Sequence, residues 1–76
     1  MIMNYREIIR EMELSGHHGE ADDLRLSMEE HGIPDQQEVR SRSDARDGLS
    51  YSSYAGDMAE RAYDYLRRHE EVEEER

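Results

Sequence analysis

The stretch Ser50 to Arg68 reads SYSSYAGDMAERAYDYLRR. Its apolar residues Tyr51, Tyr54, Met58, Ala62, Tyr65 and Leu66 recur at three- and four-residue steps. That period puts them on one face of an α-helix. It is the longest helical pattern in the chain, with Ser50 as its expected N-cap, and it marks the fold as all-α. Tyr63 falls off the stripe and is expected to be exposed. Gly56 interrupts the pattern at a cost of up to about 1 kcal/mol relative to alanine. A surface position for this glycine is expected over a close helix contact.

Upstream, Asn4 followed by Glu7 has the spacing of a helix start. Tyr5, Ile8, Ile9 and Met12 then form a second stripe, ended by Ser15 and Gly16, which predicts a helix over 4–15. Ala21, Leu24 and Met28 make a third stripe, with Leu26 to its side. Gly32 and Pro34 stop it, predicting a helix over 19–31. So short a link makes the two helices an antiparallel αα-hairpin. The run Ser15 to Leu24 has the cadence of a helical-repeat turn. A single copy cannot make a solenoid, which needs several units.

Residues 35–48 are the least determined part. Val39 and Ala45 are their only apolar side chains, too few to hold a long helix by packing. A short helix near 34–41 is expected, then a mobile connection to Gly48. Beyond His69, five glutamates between Glu70 and Glu75 repel one another and oppose the helix dipole. The expected organisation is one small helical domain, 1–69, in which the N-terminal hairpin packs on the longer C-terminal helix. An acidic fraying tail, 70–76, follows. No stretch has the alternation of a strand.

Composition limits the chemistry. The 76 residues carry 20 acids against 10 bases, a net charge of −10. Residues 4–31 hold net −5, residues 35–47 net −1 and residues 48–76 net −4. Such a surface repels phosphate, which argues against direct nucleic-acid or anionic-membrane binding and favours a basic protein partner. Every base is an arginine. Without cysteine there is no disulfide and no thiolate metal site. The opening MIMNYREIIREM is too short and too charged for a membrane span or a secretory signal, so a cytoplasmic location is expected.

Reactive constellations are lacking. His17, His18 and His31 have no zinc-ligand spacing, and Asp44 to Gly48 fails as a calcium loop. No lysine or glycine-rich loop offers a phosphate site, and no serine sits in a nucleophile signature. No metal, no cofactor and no enzymatic activity are therefore expected. Arg40, Arg42 and Arg46 with Ser41 and Ser43 form a small basic patch, read as a solvated loop answering the surrounding acids.

The favoured reading is a non-enzymatic acidic protein-binding module. Its sharpest form is an inhibitor that occupies the basic surface of a nucleic-acid-binding protein by imitating phosphate. The candidate contact residues are Asp22, Asp23, Glu29 and Glu30 on the second helix, with Glu60, Asp64 and Tyr63 on the last. One alternative is a self-assembling structural or adaptor protein with the tyrosine stripe as a homodimer interface. Another is a small phage-encoded or antitoxin-like regulator.

Overall fold

The computed structural model describes residues 2–49 and 53–74. Two short strands and four helices follow in the order β1 (Met3–Asn4), α1 (Tyr5–Leu14), α2 (His18–His31), β2 (Glu38–Val39), α3 (Arg42–Asp47) and α4 (Ser53–Glu74). The helices pack on one another as a small all-α domain. Ser50 and Tyr51 lie outside the described residues, so the expected N-cap and the first stripe position do too.

The hairpin forms as its sequence directs. The Asn4 side-chain oxygen accepts from the Glu7 N–H at 3.0 Å, capping α1. Gly16 then takes the left-handed conformation, φ 85°. It lets His17 N–H reach the Met12 carbonyl at 2.8 Å. Gly32, φ 67°, does the same for α2, where Ile33 N–H reaches the Met28 carbonyl at 2.8 Å. Both ends are Schellman closures, and a side chain at either glycine is strained. Glu13 near the end of α1 pairs with Arg25 of α2, while Arg6 N–H near its start bonds the Asp35 carbonyl beyond α2. Contacts stepping in opposite directions make the hairpin antiparallel. Ile8, Ile9 and Met12 bury against Ala21, Leu24 and Met28 in the common core.

The segment after Pro34 departs from expectation. No helix forms over 34–41. Gln37 N–H closes a turn on the Pro34 carbonyl, and Glu38–Val39 then pairs antiparallel with Met3–Asn4, Met3 opposite Val39. The absence of strands is thus corrected by a two-residue ladder. The reason is burial: pairing carries Val39, the one large apolar side chain of this stretch, to 1% exposure beside Met3 at 2%. Extended backbone at Ser41 leads directly into α3, whose first turn is capped by the Ser41 hydroxyl accepting from Asp44 N–H at 3.1 Å. The expected mobile connection is therefore helical over Arg42–Asp47, and Ala45 anchors it in the core.

Helix α4 runs to Glu74, past the end expected near His69. Its buried face is Ala55, Ala59, Ala62 and Tyr63, with Met58 and Leu66 partly covered. The tyrosine assignment is reversed. Tyr63 is 1% exposed, whereas Tyr54 and Tyr65 are 52% and 45% exposed. The cause is α3. It docks on α4 beside Gly56, which is buried, and a Cβ there would stand 3.2 Å from the Arg46 carbonyl oxygen. The close helix contact is thus the role of this glycine. Docking α3 rotates the buried face by about one residue, ~100° of helix, which draws Tyr63 in and turns Tyr54 and Tyr65 out.

Candidate partner-binding surface

The core residues Ala21, Leu24 and Met28 fix which side of α2 faces inward. Leu26 lies opposite them and is 57% exposed. Asp22 and Asp23 precede it by four and three residues, and Glu29 and Glu30 follow by three and four. Those spacings make all four its neighbours on the helix surface. All four are exposed. An apolar side chain therefore stands in water inside a ring of four carboxylates.

Little positive charge offsets the ring. Arg25 reaches Asp22 at 3.2 Å but is held more closely by Glu13 at 2.9 Å. The hydrogen bond to Glu13, reinforced by the charges of Glu13 and Asp22, pushes the Arg25 guanidinium above its ordinary value. Among the described residues, Asp23, Glu29 and Glu30 have no ion-pair partner.

The other expected contact residues lie elsewhere and are engaged. Arg42 pairs with Glu60 at 3.5 Å and Asp64 at 3.4 Å, and Arg46 with Asp57 at 3.7 Å and Glu60 at 3.9 Å. Arg42 and Arg46 of the arginine patch thus clasp α3 to α4 from a helix, where a loop was expected, while Arg40 stands before α3 and faces Glu38. Tyr63 is a buried strut: its hydroxyl donates to the Arg40 carbonyl at 2.7 Å. Its expected exposure is corrected accordingly. The structure brings Asp22, Asp23, Glu29 and Glu30 together and sets Glu60, Asp64 and Tyr63 in the α3–α4 seam. Leu26 is the residue that sequence reasoning passed over, although its three- and four-residue spacing to the acids was readable.

A second feature lies between α1 and α4. Met12, Met58, Ala62 and Tyr65 line a cleft of about 190 Å3, with Glu11 and Arg61 at its rim. That is below the ~300 Å3 at which small-molecule sites begin. Among the described residues, no three His, Cys, Asp or Glu side chains gather in metal-holding geometry, and no helix is long and apolar enough to cross a membrane. No protein family, no curated protein and no solved structure matches the chain.

Proposed function

We propose that this chain is a non-enzymatic acidic binding module whose α2 outer face docks on a basic protein surface. The observation that carries it is Leu26 exposed at the centre of Asp22, Asp23, Glu29 and Glu30. Carboxylates alone would serve solubility. A large apolar residue among them adds a contact that gains free energy only when it is covered, worth about 1.5–3 kcal/mol on full burial. The charges steer a basic partner over roughly a Debye length, ~8 Å at physiological ionic strength, and Leu26 anchors it. A partner surface of this kind is one that nucleic acid also uses, so the module acts as a phosphate-imitating competitor there.

Affinity capture with three baits tests this: the native chain, Leu26→Ala, and the triple variant Asp22→Asn, Glu29→Gln, Glu30→Gln. Asp23 is left intact because it also lies near Tyr54. The expected result is a basic partner retained by the native chain, released by added salt and by duplex DNA, and lost from both variants. A specific partner held equally by all three baits and indifferent to salt refutes the proposal.

A further inference from the structure

We infer that the nucleic acid imitated is a single strand. The partner is a single-strand-binding protein whose basic groove receives Leu26 and Tyr54 as it receives two unstacked bases, an assignment that rests on the proposed function of the α2 outer face and names its partner class.

The order of side chains across the surface carries it. At ~100° per residue, Asp22 and Glu29 fall on one flank of Leu26, and Asp23 and Glu30 on the other. Within each pair the two acids are seven residues apart in the sequence, roughly 10 Å along the axis. In a duplex, what lies between two rows of phosphate is a recessed groove, and proteins reach into it. Here Leu26 fills the space between the rows and is 57% exposed, so a side chain that reads a groove has nowhere to enter. In a single strand the bases stand out beside the phosphates. Proteins hold such a strand in a cationic groove with aromatic platforms for the bases. A large apolar side chain standing out among carboxylates is the protein counterpart of that pattern.

Tyr54 of α4 supplies a second such side chain. Its ring is 52% exposed, and its hydroxyl donates to Glu20. Partial loss of water first, then the charge of Glu20 and this hydrogen bond, then the charge of Asp23, push that hydroxyl above its ordinary value. Arg61 lies near it as well, and Glu20 with Asp23 outweigh its charge. Asp23 therefore stands between two exposed apolar groups. It is three residues from Leu26 along α2 and close to Tyr54 across the helix boundary. The surface runs apolar, acid, apolar, as base, phosphate and base alternate along a strand. Among the described residues, neither Asp23 nor Glu30 has an ion-pair partner, so the charge of this flank is directed outward.

The test begins with the basic partner that the native bait retains and compares its release by two probes at one salt concentration. One is a thymidine single strand of about 20 nucleotides, longer than the ~4–16 that one such groove covers. The other is the duplex of that strand with its complement. The duplex carries twice the phosphates, so charge alone favours it. The single strand is expected to release the partner at a concentration at least about tenfold lower than the duplex requires. Tyr54→Ala is expected to weaken retention at least about fivefold, with helicity by circular dichroism unchanged. A basic surface docking on Leu26 and its ring alone would not respond to that change. A native bait that retains no basic partner refutes the proposed function, and this inference with it. A retained partner that the duplex releases within about tenfold of the single-strand concentration, or that Tyr54→Ala holds equally, overturns the inference and leaves the proposed function standing. Should Tyr54→Ala not fold, the two probes on the native chain decide alone.

Discussion

The Tyr63 hydroxyl donates to the Arg40 carbonyl oxygen at 2.7 Å, tying α4 to the joint between β2 and α3. Tyr5 performs a weaker version from α1, donating to the Asp44 and Ala45 carbonyls at 3.4 and 3.3 Å. The irregular middle of the chain is thus held at both ends by buried phenols from the helices on either side.

Tyr63→Phe keeps the ring and leaves the Arg40 carbonyl unanswered. The expected loss is ~1–2 kcal/mol. Tyr5→Phe, whose bonds are longer, is expected to lose less. Urea unfolding of the two variants checks the order, and equal or reversed losses would contradict it.

Stability at high pH is expected to depend on Tyr5. Burial first, then the charges of Asp44 and Asp47, push its hydroxyl above the ordinary value of 10.0. A raised folded value means the unfolded chain releases this proton first. The contribution is therefore complete below about pH 10 and is lost as pH rises from there through the folded value. Melting temperature against pH is expected to fall above pH 10 in the native chain and to fall less steeply in Tyr5→Phe. Parallel curves would show that Tyr5 does not drive the loss.

Two helical glycines are expected to respond oppositely to alanine. Gly19 in α2 has open space where a Cβ would stand, so Gly19→Ala is expected to stabilise by about 0.5 kcal/mol. At Gly56 the Arg46 backbone is in the way, and overpacking of ~1–3 kcal/mol outweighs the helix gain. Thermal melts of the pair decide it. A Gly56→Ala chain as stable as Gly19→Ala would show that α3 yields.

Helix α3 has six residues and depends on its start. Ser41→Ala is expected to cost ~1 kcal/mol by loss of the cap. Arg42→Ala is expected to cost less, ~0.2–1 kcal/mol, since its pairs to Glu60 and Asp64 are solvent-screened. Added salt should shrink the Arg42 effect and leave the Ser41 effect unchanged. The reverse salt dependence would exclude this division of labour.

The hairpin was legible because its determinants are local. Asn4, Gly16, Gly32 and the two apolar stripes each act within a few residues. The segment from Glu38 to Asp47 was not legible, because its order comes from distant partners: Met3 for Val39, and Tyr5 and Tyr63 for the carbonyls around α3. The misreading of Tyr63 followed from that one. A helix with two candidate apolar faces shows its core face only when the neighbour that covers it is known. On α2 the acids stand out in the sequence by their charge, while Leu26 falls off the apolar stripe and gains meaning only from the burial of the opposite face.

The pairing of Met3 with Val39 also orders events during synthesis. The chain emerges at ~5–20 residues per second. Met3 waits for Val39 to follow it, and the Arg40 carbonyl waits for the Tyr63 hydroxyl. Until then the nascent hairpin displays Met12 without Met58 and Ala62 of α4 beside it. The domain is therefore expected to close in one late step when α4 arrives. Arrest of translation at successive lengths, read by protease resistance, would register protection only once Tyr63 has cleared the ribosome.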